Sequence, residues 1–313
     1  MRPDAAHPER GSFVRDQVGA LRALGELDVE LYEFPPGARA LALAARDLRS
    51  RFGAGGRAGD SFDVVHAHFG LTAWPARAVR GPVHALTLHG TDLSHARTRL
   101  ATRAALARID LLATVSQALV AELPRGAARR AQVLPCGVDL DRFRPLDRAD
   151  ARAQLGLRAD GAYALFAADP ARPEKRFDRA RELAAPLDVE LLTLGAVDPA
   201  RVPLFVNAAD AVLVPSEREG FGLATLEALA CDVPVLATPV GIHEQALDGI
   251  DGTLCAPFDA PRWRAALAAL LDSRDGGRGA GRVAGRQRAE QWSATRMAER
   301  VRTAWCVARG RDG

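Results

Sequence analysis

Short apolar runs recur along this chain, separated by stretches in which apolar residues return every three or four positions. VHALTLHGTDLS (83–94), as a strand ending in His89-Gly90, the start of LLATVSQAL (111–119), YALFAA (163–168), VELLTLG (189–195), AVLVP (211–215) and PVLAT (234–238) read as buried strands. FDVVHAHF (62–69) is another strand, and its period of two sets His66 and His68 on one face. DVELYEF (28–34) alternates as a strand should, and GTLCAPFD supplies a last one. The helical stretches include Phe13, Val14, Val18 and Leu21 after Gly11, and the segment 38–52, where Ala and Leu alternate with Arg39, Arg46, Arg49 and Arg51. FDRARELAAPL, PRWRAALAALL and a final segment with Trp292, Met297, Val301 and Trp305 in register complete them. GAGGRAG (53–59) and GGRGAG (276–281) interrupt the pattern; no strand leads into the first, so its glycines match no nucleotide fingerprint.

The densest information lies between Ala211 and Glu244. Pro215 stops the AVLV strand, and the loop Ser216–Gly220 carries three charges. Gly220 and Gly222 shape a sharp turn that lets backbone approach a ligand closely. From Leu223 the spacing turns helical, so Glu219 sits in the loop and Glu227 one turn into a helix. A helix start offers unpaired N–H groups and the positive end of a dipole to an anion such as phosphate. On spacing alone, the same two carboxylates also fit a dipole-favoured Glu and an ordinary solvated one.

With 313 residues, the chain has room for two domains with separate cores. Its 42 basic and 39 acidic side chains nearly balance, which gives no basic stripe for nucleic acid. The slight excess points weakly to anionic ligands or lipid surfaces; the arginine side of 38–52 fits a solvated face better than a membrane-bound one. No apolar run approaches the length of a membrane span and MRPDAAHPERG is no signal peptide, so the cytoplasm is the default location. Cys136, Cys231, Cys255 and Cys306 form no C-x-x-C pair and argue against a zinc or redox site. His66 and His68 could bind zinc as an H-x-H pair, but no third ligand is evident nearby; structural or substrate-lining roles fit better. All but one of the basic residues are Arg. The exception, Lys175, lies in the proline-stiffened loop DPARPEK just past a strand, where a compact positive charge suits phosphate.

The Glu219–Glu227 pair with GFG between them, followed by ALAC, PVLAT, PVG and Glu244, resembles the nucleotide-sugar signature of glycosyltransferase family 4, retaining enzymes of the GT-B fold. The resemblance implies an α/β chain of two Rossmann-like domains facing a cleft, with a C-terminal helix crossing back to the first domain. It implies residues 1–144 as the acceptor-side domain, 145–288 as the nucleotide-sugar domain and 289–313 as the crossover helix. Glu219 would hold the donor sugar and Glu227 the ribose, with Gly220, Phe221, Gly222 and Leu223 forming the donor turn. Lys175 and an Arg would grip the diphosphate; Arg172 is the candidate and Arg176 a competitor. His89, after VHALTL, would face the donor, and Gly11 would belong to a substrate-binding glycine loop. Ala224 and the pair Ile242-His243 depart from the common pattern.

QVLPCGVDLDRFRP (132–145) is similar to the family's interdomain signature, with Cys136 in place of Asn. That context makes Asp139-x-Asp141 a decoy rather than a metal motif. The implied activity is metal-independent transfer of a sugar from a nucleoside-diphosphate sugar, without a cofactor, to a glycan or lipid-linked acceptor, at the inner membrane face if peripheral. DPARPEKRFD resembles the teichuronic-acid and capsule branch, which implies surface-polysaccharide synthesis. Two alternatives stay open: a non-catalytic nucleotide-sugar-binding GT-B protein, and another GT-B enzyme such as a phosphorylase or sugar-phosphate synthase. The family's first strand would precede Gly11, and residues 1–10 carry loop chemistry instead, so the N-terminus is expected to be truncated.

Overall fold

Apolar runs without alternation demand cover on both faces, and they become the strands of two parallel sheets. The computed structural model describes residues 2–4, 7–53, 62–94, 96–273 and 281–310; the glycine-rich runs at 53–59 and 276–281 lie outside these apart from Gly53 and Gly281. The chain divides into two units, one holding Arg10–Gly137 and the residues from Thr295 onward, the other Val138–Ala294.

In the first unit, β1 (Val64–His68), β2 (Val83–Leu88), β3 (Leu111–Thr114) and β4 (Gln132–Val133) lie side by side in that order, all parallel. Leu86, Leu88 and Leu112 are fully buried and pack with Leu106 and Ile109. The register runs from Val64 opposite Val83 to His68 opposite Thr87. The two strands therefore end level, and His68 and His89 emerge at the same end of the sheet.

Residues 28–34 form no strand, against the expectation from their alternation. A strand exists through its ladder, and here a backbone bond from Arg2 N–H to the Phe34 carbonyl at 3.0 Å is accompanied by bonds from side chains instead of a ladder. Arg22 donates to the Val29 carbonyl at 3.0 Å, Arg2 donates to the Glu33 carbonyl, and the Tyr32 hydroxyl donates to Asp47 at 2.8 Å. The segment is pinned to the helices Ser12–Ala23 and Ala38–Phe52 rather than to a sheet.

In the second unit, β5 (Tyr163–Phe166), β6 (Glu190–Thr193), β7 (Ala211–Val214), β8 (Val235–Ala237) and β9 (Leu254–Cys255) are parallel in the order β6-β5-β7-β8-β9. Phe166, Leu213 and Leu236 fill the core against Leu183, Trp263 and Leu267, which come from the helices Phe177–Ala184 and Ala260–Ser273. From β5 the chain moves outward to β6, then returns across β5 to build β7, β8 and β9 on the other side. Such a reversal leaves a crevice beyond the carboxyl ends of the two central strands, where open α/β sheets bind ligands. Here those ends feed the loops that carry Lys175 and Glu219.

The second unit begins at Val138, before the expected boundary at 144. Val138 donates its N–H to the Trp292 carbonyl and accepts from Ala294 N–H, both at 2.8 Å, and the Phe143 carbonyl accepts from Arg286 at 2.9 Å. Asp139 serves the turn between them: its Oδ1 accepts the N–H groups of Asp141 and Arg142, both at 3.0 Å. A buried anchor stands nearby, where Asp210 accepts from Arg148, from Arg152 and from the Tyr163 N–H. At the carboxyl end, the helix Ala294–Arg309 belongs to the first unit from Thr295 onward. Among the described residues no helix is long and apolar enough to cross a membrane.

Candidate functional site

The loops after β5 and β7 meet at an ion pair between Lys175 and Glu219. Lys175 Nζ donates to both carboxylate oxygens of Glu219 at 2.7 Å, and the Ser216 hydroxyl donates to Oε1 at 2.8 Å. Both side chains are largely buried, with 13% of Lys175 and 8% of Glu219 exposed. Burial alone would raise the Glu219 carboxyl, but the charges of Lys175 and His243 and the hydrogen bonds from Lys175 and Ser216 outweigh it and leave the net shift downward. The backbones are stitched as well: Glu217 N–H donates to the Glu174 carbonyl at 2.9 Å, and the Thr238 hydroxyl at the end of β8 donates to the Ser216 carbonyl at 2.5 Å.

Glycine is required at two positions here, in this turn and in the segment after β8. Gly222, at φ 106°, caps the helix Leu223–Ala230, and a Cβ there would lie 2.4 Å from His243 Nε2. Gly241, at φ 64°, lies so near the Phe221 carbonyl that a Cβ would come within 2.2 Å of its oxygen. Phe221 is buried and its carbonyl accepts the Ile242 N–H at 2.9 Å, which ties the glycine turn to the segment after β8. Gly220 and Leu223 flank this turn and are half-buried.

The other expected ligands distribute unevenly. Glu227 lies one turn along the helix, half-buried; burial first, and its charge to a lesser degree, push the Cys231 thiol up to about 12. Arg172 is engaged by Glu174 at 2.7 Å and is half-exposed; Arg176 is engaged by Asp178 at 2.6 Å and by Glu217. Both arginines line a groove of about 540 Å³ with Pro170, Phe177 and Arg181, and neither Lys175 nor Glu219 lines it. Arg172 thus does not join Lys175 at Glu219. The contacts of Ser216 and His243 with that pair gave no signal in the sequence beyond proximity to the two glutamates. Among the described residues no group of three or more His, Cys, Asp or Glu is arranged to hold a metal ion.

The first unit gathers its own polar cluster. His89 follows β2, and its Nε2 lies 3.0 Å from Nδ1 of His68. His66 and His68 stack with ring centroids 4.7 Å apart, and Phe13 and Phe69 flank His89 at 4.7 and 4.8 Å. Trp305, on the C-terminal helix, donates its indole N–H to His66 Nδ1 at 3.0 Å. An indole only donates, so Nδ1 is the acceptor and His66 Nε2 carries the hydrogen that meets the Thr87 hydroxyl at 2.8 Å. Burial holds His66 down to about 4; burial and then the charge of His66 hold His89 down to about 3. Asp92 fixes the backbone here, accepting Gly70 N–H and His89 N–H at 2.7 Å each. Phe69, between His68 and Gly70, holds a positive φ of 73°, the kind of local strain that persists only where surroundings impose it. Gly11 caps the helix Ser12–Ala23, whose second residue is the Phe13 that flanks His89.

Residues 158–273 match the family described as Glycosyl transferases group 1, and residues 4–142 match Glycosyltransferase Family 4. A D-inositol 3-phosphate glycosyltransferase from Nocardia farcinica is 31% identical over 334 residues, 87% of this chain and 71% of that protein. The chain spans 60% of another such relative. Among solved structures, the sucrose-phosphate synthase tll1590 from Thermosynechococcus elongatus superposes with a TM-score of 0.70 at 22% identity, over 95% of this chain and 92% of that one. Anabaena Alr3699/HepE in complex with UDP-glucose superposes with a TM-score of 0.68 at 18% identity, over 92% and 88%. Both of these sequence relatives are D-inositol 3-phosphate glycosyltransferases by name, and neither name speaks to the teichuronic-acid or capsule branch. With two parallel α/β units of the GT-B type and these matches along its length, the chain belongs to the family 4 glycosyltransferases.

Proposed function

We propose that this protein transfers a sugar from a nucleoside-diphosphate sugar to an acceptor hydroxyl with retention of configuration, and that the second unit binds the donor. The observation that carries this reading is the meeting of Lys175 and Glu219 at the strand reversal between β5 and β7. As the glycosidic bond to phosphate breaks, negative charge builds on the departing oxygen. Lys175 and the first turn of Leu223–Ala230 would receive it. One charge-assisted hydrogen bond of this kind is worth roughly 1.5–3 kcal/mol, or about one to two powers of ten in rate if it strengthens in the transition state. Glu219 would accept hydrogen bonds from donor-sugar hydroxyls and Glu227 from the ribose. HepE, solved with UDP-glucose, supports a nucleotide-sugar donor for this fold. In the first unit, the His68–His89 pair offers one ring N–H and one lone pair to a polar ligand group.

The names of the relatives make D-inositol 3-phosphate the first acceptor to assay, with glycan and lipid-linked acceptors of surface-polysaccharide type as the second arm. The donor is tested by thermal stabilisation with a panel of UDP-, GDP- and ADP-sugars, since a ligand at about 100 times its Kd adds about 2.7 kcal/mol. Glu227→Ala is expected to weaken binding of the bare nucleoside diphosphate, whereas Glu219→Ala reduces turnover of the intact donor. Equal nucleoside-diphosphate affinity in wild type and Glu227→Ala would remove the ribose assignment. Failure of every sugar nucleotide to bind would remove the donor reading itself.

A further inference from the structure

His243 is a buried titratable group for which the donor reading has no use. It opens the short helix His243–Leu247 and is wholly buried. Its Nδ1 lies 2.8 Å from the Thr238 carbonyl, which can only accept, so Nδ1 carries a hydrogen and the neutral ring keeps its lone pair at Nε2. That Nε2 is buried without a hydrogen-bond partner and abuts Gly222. Such an atom normally costs free energy unless another state of the protein satisfies it.

The charged groups acting on the ring are Glu219, from the loop after β7, and Lys175, from the turn after β5; Glu244 is its neighbour on its own helix. Burial disfavours the imidazolium, Glu219 favours it and Lys175 opposes it, with a net downward shift. While Lys175 sits on Glu219, the carboxylate has its countercharge and His243 stays neutral. A diphosphate that draws Lys175 away leaves Glu219 a buried anion with neutral partners alone, the Ser216 hydroxyl and any sugar hydroxyls, and an anion stripped of its countercharge in such surroundings is strongly unfavourable.

We propose that His243 takes up a proton at Nε2 when Lys175 leaves Glu219 for the donor's diphosphate, so that the carboxylate keeps a cationic partner while Lys175 is occupied. The proton comes from solvent, forms an N–H bond at Nε2, and returns to solvent when the nucleotide departs and Lys175 closes back on Glu219. His243 is thereby a positioning residue that acts through Glu219, and the proposal rests on the donor reading of the Lys175–Glu219 pair.

Two measurements test it. NMR titration of the His243 imidazole, assigned by comparison with His243→Gln, is made on free wild type and free Lys175→Met. Loss of the lysine takes the cation away from Glu219, as the occupied state is proposed to do, so the midpoint is expected to rise by more than about one pH unit; coincident curves overturn the proposal. Calorimetry of wild type with UDP, GDP and ADP in Pipes and in Tris then reads proton exchange on binding. Uptake of up to about one proton per nucleotide is expected, and its absence from His243→Gln. Binding without uptake, or uptake that survives in His243→Gln because Glu219 itself protonates, overturns the proposal. If no nucleotide binds, the donor reading fails, and the free-protein titration alone decides the role of His243.

Discussion

Replacing Gly222 by alanine imposes two costs that separate experimentally. The first is conformational: at φ 106° and ψ 42°, an L-residue sits in a region that costs about 1–3 kcal/mol. The second is steric. The new Cβ would lie 2.4 Å from His243 Nε2 and 2.7 Å from Cδ2, and the ring has no room to retreat because it is fully buried and held by the Thr238 carbonyl. Overpacking of this kind costs about 1–3 kcal/mol, which makes the sum roughly 2–6 kcal/mol. In a unit of this size each kcal/mol moves Tm by about 2–4 °C, so a loss of at least about 4 °C is expected. The assay is urea denaturation and calorimetry of Gly222→Ala, His243→Ala and the double variant. Removing the imidazole cancels the steric share and leaves the conformational one, giving a coupling of about 1–3 kcal/mol. A single-variant loss under about 0.5 kcal/mol, or strict additivity, would refute the packing of His243 beneath the glycine turn.

Asp210→Ala is expected to cost about 3–5 kcal/mol by urea denaturation, because it leaves Arg152, with 5% of its side chain exposed, without its anion; a loss below about 1 kcal/mol would show that the anchor is dispensable. The histidines of the first unit predict acid sensitivity. His66 near 4 and His89 near 3 are neutral in the folded state and take up protons on unfolding below their usual 6.5, so stability is full above pH 6.5 and falls as pH drops towards 4 and then 3. Each ring contributes at most about 1.4 kcal/mol per pH unit, and His66→Gln should flatten the dependence of the urea midpoint on pH; an unchanged slope would mean that the rings are already solvated. Transfer activity is expected to survive EDTA and to fall about ten- to a hundredfold in Lys175→Met. Asp139 spends its carboxylate on two backbone N–H groups, and Lys175 supplies the countercharge. Abolition by chelator with rescue by magnesium or manganese would revive the Asp139–Asp141 pair.

The strand, glycine turn and helix around Glu219 were legible because apolar runs report burial and glycines report backbone freedom, both local properties. Lys175 stands out by composition, and its place past a strand's end follows from where the YALFAA run stops. What periodicity could not report is choice of partner. Lys175 meets Glu219 across 44 residues, and only the relative order of β5 and β7 decides that their loops touch. Arg172, two residues before Glu174, takes the nearer carboxylate and is lost to the pair. Residues 28–34 misled for a related reason: alternation shows that a segment can be half-buried, whereas a strand also needs a neighbouring backbone. A period of two sets His66 and His68 on one face, where their rings stack, but the indole of Trp305 that fixes the His66 tautomer lies 239 residues away.

That the only lysine among 42 basic residues stands on Glu219 has a practical consequence. Reductive methylation with isotopically enriched formaldehyde modifies amines and leaves guanidinium groups untouched, so apart from a chain-terminal amine it installs one side-chain label, on Lys175. A methylated ammonium keeps its charge, and its carbon resonance differs between a carboxylate and a phosphate neighbour. A single peak, followed through a nucleotide titration, would then show which anion the side chain occupies at each stage, in a protein whose 41 arginines remain spectroscopically silent.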